Sequence, residues 1–250
     1  MLKKIITSGF FALWSFSAYA AYEDIYAPWL PQVWSSIITV SGGPAWSSPG
    51  KDQYLYPLPP PHSNHYIPDT QSDWLGSGEL FFGLQHFIGN SNVIAQFGLG
   101  AAMASDAQLS GKVAVDGIPD VYTYHYKVSH FRAEMKGKLI ACGFSLVQPY
   151  VSGSFGAGWN HAHDWQPTTI SETLYPTFWF NTASTLAFSY TLGLGVQKMV
   201  TPNWQLGVGV EFADWGKNYL GGDSATTLTQ GPGMPHLYTT ELLFTLGYMF

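Results

Sequence analysis

The stretch that decides the fold is the end of the chain, Tyr238-Thr239-Thr240-Glu241-Leu242-Leu243-Phe244-Thr245-Leu246-Gly247-Tyr248-Met249-Phe250. In a β-strand, successive side chains point to opposite faces. The face that begins at Tyr238 is then largely apolar and ends in the aromatic ring of Phe250, whereas the face with Thr239 and Glu241 is mixed and more polar. This alternation predicts a strand with one side towards lipid and the other towards a packed polar interior.

The composition excludes most other classes of protein. Charged residues make up 10% of the 250 residues, aromatic residues 16% and hydrophobic residues 46%. A soluble domain carries about 25% charged residues, and a disordered chain has far fewer hydrophobic ones. After residue 20, no apolar run approaches the roughly 20 residues of a membrane-spanning helix. The net charge of −6 and the absence of a basic run argue against nucleic acid as a partner. A membrane-embedded β-barrel remains.

The same alternation recurs seven times before the last strand. The predicted strands are Val33–Gly43, Gly78–Phe87, Val93–Met103, Tyr124–Gly137, Gln148–Asn160, Ser184–Lys198 and Trp204–Asp214. Together with the last strand they make an even number, as closure of a barrel of hairpins requires. The sequence therefore predicts an all-β, eight-stranded antiparallel up-and-down transmembrane β-barrel.

The connections between these strands alternate in length. Short ones fall at Ile88–Asn92, Lys138–Val147 and Thr201–Asn203. Short periplasmic turns and long extracellular loops alternate in the same way in outer-membrane barrels. We therefore expect long extracellular loops at residues 44–77, 104–123, 161–183 and 215–237.

The first twenty residues predict a signal peptide. Lys3 and Lys4 precede the apolar run Ile5–Phe16, and Ala18-Tyr19-Ala20 fits a cleavage site. Cleavage would leave a periplasmic segment at residues 21–31 and a barrel at residues 32–250, and the loss of two lysines would take the net charge from −6 to −8. Cys142 is the only cysteine, so no intramolecular disulfide is expected.

The last strand resembles that of bacterial outer-membrane β-barrel proteins, in which alternating hydrophobic residues lead to a terminal aromatic one. The matching residues here are Leu242, Phe244, Leu246, Tyr248 and Phe250. This resemblance implies recognition of the strand by the barrel-assembly machinery, and a location in the bacterial outer membrane among its lipid and lipopolysaccharide.

Over residues 32–250 the plan resembles OmpA/OmpX-type, porin-family barrels of eight strands. The chain ends with its last strand at Phe250. We therefore expect no periplasmic domain of the OmpA type and no anchoring role that depends on one.

The predicted interior combines small residues with charges. Eight strands enclose a space that side chains just fill, so the many inward glycines either relieve crowding or leave a thin water-filled path. A charge facing lipid at mid-membrane would cost about 2–4 kcal/mol for Arg or Lys, which favours an inward position for Glu79, Arg132, Glu134, Lys136, Glu211 and Glu241. Arg132 is the expected hub, because its guanidinium can hold two carboxylates. Resemblance to OmpA-type barrels implies an interior ion-pair network, which is either structural or part of a gated conductance.

Candidate catalytic and metal-binding residues are few. Ser129 and His130 are adjacent and point to opposite faces, while His125 and Ser129 are roughly 13 Å apart along one strand. A partner from another strand stays open, but we expect no enzyme and no catalytic residue. His161 and His163 could hold a metal with a third ligand, although exposed loop residues are favoured; no metal and no cofactor are expected.

The first long loop is the most distinctive segment. It carries Trp46, Tyr54, Tyr56, Tyr66 and Trp74 among seven prolines. Prolines stiffen the chain and aromatic side chains supply contact area, so the loop either recognises a host molecule, glycan or neighbouring protein, or folds over the rim and shields it. The sequence thus favours a structural or surface-interaction role, such as adhesion. A narrow channel and a lipid A-modifying acyl hydrolase or transferase are the alternatives.

Overall fold

A computed structural model describes residues 34–59, 61–70, 72–88, 92–143, 146–170, 177–224 and 226–250. The predicted signal peptide and the segment 21–31 lie outside the described residues. Among the residues that are described, no helix is long and apolar enough to span a membrane.

The described chain forms twelve β-strands. They are β1 (Ser35–Ser47), β2 (Gln53–Leu55), β3 (Asn64–Pro68), β4 (Trp74–Phe87), β5 (Val93–Val115), β6 (Ile118–Ala141), β7 (Gln148–Thr169), β8 (Ala183–Met199), β9 (Trp204–Asp214), β10 (Asn218–Gly221), β11 (Gln230–Met234) and β12 (Tyr238–Met249).

Eight of these strands form a ring. Their spatial order is β5-β4-β1-β12-β9-β8-β7-β6, and β6 pairs again with β5. All of these pairings are antiparallel. The last strand pairs with the first, from Ile37 opposite Met249 to Ser47 opposite Thr239. The predicted eight-stranded antiparallel barrel is therefore confirmed.

The outer surface of the ring is apolar. Phe188, Leu194 and Phe244 are 66%, 65% and 58% exposed, and their outward neighbours on the other strands are similarly exposed. On a closed barrel, a continuous apolar outer surface of this kind is typical of contact with lipid. We call this surface the belt; it includes the outward side chains of residues 149–159 on β7 and 186–196 on β8.

Aromatic pairs mark both ends of the belt. Trp204 and Tyr248 lie 4.9 Å apart between ring centroids at the end with short turns. Phe131 and Trp159 lie 5.6 Å apart at the opposite end. Such aromatic girdles lie at the two membrane interfaces of transmembrane barrels.

The prediction of a loop at 104–123 is wrong, because most of this segment is β-strand. Both β5 and β6 continue beyond the belt and remain paired as far as Val115 opposite Ile118. Only Asp116 and Gly117 connect them, with φ of 51° and 82°. Asp-Gly with positive φ at both positions is the preferred two-residue hairpin turn, so this dipeptide was the signal that could have predicted the long hairpin.

The other three predicted loops also contain strands. Segment 44–77 includes β2 and β3, segment 161–183 includes the end of β7, and segment 215–237 includes β10 and β11. We call the described residues of 48–70, 104–130, 160–182 and 214–237 the cap. The cap lies beyond the belt at the end away from the short turns, and in it β2, β3, β5, β6 and β7 form one sheet.

Candidate functional site

Five of the six charges predicted in the lumen form a continuous ion-pair network. Lys136 donates from Nζ to Glu79 Oε2 at 2.6 Å and to Glu211 Oε2 at 2.8 Å. Arg132 donates to Glu211 Oε1 at 3.0 Å, and its Nε lies 2.7 Å from Glu134 Oε2. All five side chains are buried. The barrel therefore brings together charges from β4, β6 and β9, with Glu211 held by both cations.

The sixth charge, Glu241, lies at the edge of this network. It is buried and stands directly opposite Glu211 in the pairing of β12 with β9. Its carboxylate accepts a hydrogen bond from Thr239 Oγ1 at 2.8 Å, and Thr239 in turn accepts one from the indole of Trp215 at 2.9 Å. The guanidinium of Arg132 lies 4.4 Å from the centre of the Trp215 ring. Trp215 thus joins the charged layer to the cap.

The interior glycines make room for larger side chains. A Cβ at Gly195 or Gly209 would collide with the hydroxyl of Tyr150, and one at Gly100 would crowd the carboxylate of Glu134. Glycine is the residue that allows such close approaches in a strand. These positions support relief of crowding and count against a water-filled path, because the space left by the missing Cβ atoms is filled.

A layer of glutamines, not among the residues predicted from the sequence, closes the lumen near the short turns. Gln96 donates to Gln85 at 3.0 Å, and Gln197 donates to Gln148 at 3.4 Å and to Gln205 at 3.2 Å. Their position on inward faces at the same end of neighbouring strands was the available signal. Between this layer and the charges lies a cavity of about 20 Å³, room for about one water molecule.

The cap has a hydrophobic core centred on Trp165, which is 6% exposed. Its indole ring lies 5.1 Å from Phe180 and 5.4 Å from Tyr124, measured between ring centroids, and its Nε1 donates to Phe178 O at 2.9 Å. Other large members of the same core are Leu109, Val113, Val121, Tyr122, Tyr126, Trp215, Leu220, Met234 and Leu237. The cap is therefore a folded structure with its own core.

Tyr66 belongs to this core, and its predicted role as a surface contact is wrong. Its side chain is fully buried, and its hydroxyl lies 3.2 Å from that of Tyr122. Burial raises the pKa of Tyr122 to about 12 and holds the pKa of Tyr66 well above its usual value. Alternation along β3 directs residue 66 inward. An irregular loop has no such alternation, so the prediction of a loop gave no direction for this side chain.

The other four predicted recognition residues fall into two groups. Trp46 and Trp74 are opposite each other on β1 and β4 and are 44% and 67% exposed, so they belong to the barrel wall and not to a loop. Tyr54 and Tyr56 are 56% and 58% exposed on the cap. The ring of Tyr54 stacks on His65, with centroids 4.0 Å apart.

Polar contacts hold the outer hairpins of the cap in place. Gln53 on β2 donates to Gly233 O at 3.1 Å on β11. The ring of His62 lies 2.9 Å from Asp116 Oδ2, and the backbone N–H of Ser63 donates to Asp116 Oδ1 at 2.9 Å. The contact with His62, followed by the backbone hydrogen bond, lowers the pKa of Asp116. The β2–β3 hairpin is thereby tied to the turn between β5 and β6 and to β11.

His161 and His163 do not converge on a metal site. Their rings stack with centroids 5.2 Å apart. The two nitrogens of His163 lie 3.3 Å from Asp164 and 3.5 Å from Asp106. Within the described part of the chain, no group of three His, Cys, Asp or Glu residues is arranged to hold a metal ion. His161 instead contacts Ser184, with 2.9 Å between Nδ1 and Oγ.

These features define the class of the protein. A closed antiparallel barrel of eight strands with an apolar belt and a polar interior is the architecture of small integral proteins of the bacterial outer membrane. The chain is such a transmembrane β-barrel, and its predicted outer-membrane location is confirmed.

Several solved structures of outer-membrane proteins resemble the chain at low sequence identity. No protein-family model matches the chain, and no curated protein matches it in sequence. Neisserial surface protein A (NspA) is similar in structure, with 12% identity, a TM-score of 0.44, and coverage of 86% of this chain and 97% of that one. The outer membrane protein OprG from Pseudomonas aeruginosa has 13% identity and a TM-score of 0.40 over 86% of this chain and 96% of that one. The outer membrane protease OmpT from Escherichia coli has 10% identity and a TM-score of 0.43 over 86% and 97%.

Proposed function

We propose that the protein is a sealed barrel that anchors a rigid cap at the bacterial surface and acts through contacts made by the cap. The observation that carries this proposal is the folded core of the cap around Trp165, buried where long loops were expected. A preformed surface loses little conformational entropy on binding. The cap therefore serves recognition, such as adhesion, better than four independent loops would.

The filled lumen supports this role over that of a channel. Wide aqueous channels occur in barrels of about 16 strands. Here the glutamine layer, the ring of Tyr150, the charged network and the core of the cap follow one another along the barrel. A narrow channel, as the competing function, would require several of these layers to move together.

Two exposed tyrosines of the cap are the proposed contact points. Tyr54 and Tyr56 lie on or beside β2, which is braced by Gln53 against β11. Tyrosine supplies contact area at a low cost in entropy. The partner is a host or cell-surface ligand.

Two further partners belong to this proposal. The belt would be surrounded by outer-membrane lipid and lipopolysaccharide. The barrel-assembly machinery would read the outward residues of the last strand, of which Phe244, Leu246, Tyr248 and Phe250 are exposed.

Attachment of whole cells tests the recognition role. Cells that carry the protein are compared with cells that carry Tyr54→Ser together with Tyr56→Ser, on cultured epithelial cells and on immobilised matrix proteins. Trp179→Ser is the matched control, because Trp179 is also an exposed aromatic residue of the cap. We expect attachment to fall in the double variant only; equal attachment by all three proteins would contradict recognition through β2.

Planar-bilayer recordings test the sealed lumen. Purified protein and Arg132→Ala are recorded at the same protein concentration. We expect no steady single-channel current from the unaltered protein. A current that Arg132→Ala changes would favour the channel instead.

A further inference from the structure

A serine and a histidine meet on the outer surface, where the barrel wall continues into the cap. His161 on β7 and Ser184 on β8 stand directly opposite each other in the pairing of these strands. Both side chains are exposed, and His161 Nδ1 lies 2.9 Å from Ser184 Oγ. Within β6, Ser129 and His130 point to opposite faces; the pair of His161 and Ser184 arises only when β7 and β8 come together.

This pair lies at the outer edge of the belt. The next outward pair towards the membrane centre is Trp159 with Leu186, which are 44% and 59% exposed. Two residues of a strand span about 7 Å, and the strands of such barrels tilt by roughly 40°, so the pair lies about 5 Å beyond the last belt side chains. This is the depth of the interface between hydrocarbon and headgroups, where the acyl esters of outer-leaflet lipids are located.

We propose that Ser184 and His161 hydrolyse the acyl ester of a lipid in the outer leaflet, an activity separate from the recognition proposed for Tyr54 and Tyr56. A serine becomes a nucleophile when an adjacent base accepts its proton. Here Ser184 Oγ attacks the ester carbonyl carbon while its proton passes to His161 Nδ1. The carbon–oxygen bond to the alcohol then breaks, and His161 returns the proton to the departing alcohol.

Water completes the reaction. It attacks the acyl group on Ser184 Oγ and gives a proton to His161. The bond between Oγ and the acyl carbon breaks, the fatty acid leaves, and the proton on His161 returns to Oγ. Every atom comes from the lipid ester, one water molecule and the two side chains.

The neighbouring groups hold the imidazole of His161 in place. The ring of His163 stacks on it, and His163 is itself held between Asp106 and Asp164. Lys127 Nζ lies 3.2 Å from Asp164 Oδ2. In this arrangement His163 is a positioning residue, since it supports the base without contact with the ester.

The experiment uses the full barrel folded into vesicles of phosphatidylethanolamine with purified lipopolysaccharide. Release of fatty acid is followed by mass spectrometry for the unaltered protein, Ser184→Ala and His161→Gln. The matched control is Ser129→Ala, because Ser129 on β6 flanks His161 on its other side. Heat-modifiable migration in gels verifies that each variant is folded. A fluorophosphonate probe reports whether Ser184 is nucleophilic, a property that a purely structural hydrogen bond would not confer.

We expect fatty-acid release and probe labelling by the unaltered protein and by Ser129→Ala. Loss of the base or the nucleophile should reduce release by at least about 100-fold, a typical size for acid–base catalysis. Absence of release from the folded, unaltered protein would overturn the proposal. Release that persists in Ser184→Ala would overturn it as well, and would trace the activity to another group or to a contaminant.

Discussion

Removal of the Trp165 side chain should open the cap and leave the barrel closed. Trp165 is 6% exposed and contacts four aromatic rings of the cap. Burial of an indole side chain removes about 200 Å² from water, which at about 25 cal/mol per Å² corresponds to roughly 5 kcal/mol as an upper bound. Tryptophan-to-alanine substitutions in protein cores cost about 3–5 kcal/mol. We take about 4 kcal/mol for Trp165→Ala.

Hydrogen exchange measures this effect where it is expected. A loss of about 4 kcal/mol from the opening free energy accelerates exchange by about three powers of ten, and this acceleration should be confined to backbone amides at residues 107–128 and 162–169. Trp165→Phe keeps a ring but loses the hydrogen bond to Phe178, so an intermediate effect of about 1–2 kcal/mol is expected.

Trp159→Ala is the matched control on the same strand. Trp159 faces outward and is 44% exposed, so its loss should leave exchange in the cap unchanged. The reasoning is refuted if Trp165→Ala and Trp159→Ala accelerate exchange in the cap equally. It is also refuted if Trp165→Ala abolishes heat-modifiable migration, because the cap and the barrel would then unfold as one unit.

Three other predictions concern the lumen and the cap. Lys136→Met should destabilise the barrel by about 3–5 kcal/mol, because it leaves two buried carboxylates without their shared cation; an unchanged midpoint of urea unfolding in detergent would contradict this. Gly209→Leu should cost about 1–3 kcal/mol through its clash with Tyr150, whereas Gly76→Ala, where a Cβ meets nothing within 4 Å, should cost much less in the same assay. Since the pKa of Tyr122 rises from 10.0 to about 12 on burial, its contribution to cap stability is complete below pH 10 and is lost as the pH rises towards 12. Ultraviolet titration of tyrosinate should show this late ionisation, and a single transition near pH 10 would oppose it.

The barrel is predictable because the alternation of apolar and polar residues within each strand shows which face meets lipid. Alternation with period two places apolar side chains on one face of each strand, and a lipid environment demands that face on the outside. The same alternation along the strand places Glu79, Arg132 and Glu211 inside the lumen. No knowledge of neighbouring strands was needed for either result.

The strands of the cap are not predictable in this way, because they do not have the apolar outer face and polar inner face of a membrane strand. Beyond the belt the outer face contacts water and the inner face packs on a core, so polar residues such as Gln108 and Lys112 lie outside and Leu109 and Val113 lie inside. This is the reverse of the pattern that identifies a membrane strand. The sequence pattern therefore predicts a loop for these residues.

The sequence by itself determined that the chain crosses a membrane as a β-barrel, which way each membrane strand faces, and that charge must lie inside. It could do so because the alternation of side chains and the cost of a charge in lipid can both be judged from a single strand. Only the tertiary structure decided how Arg132 and Lys136 share Glu211, that Tyr66 is buried, and that His161 meets Ser184. Each of these depends on the register between strands far apart in the chain, and register is set by closure of the whole ring.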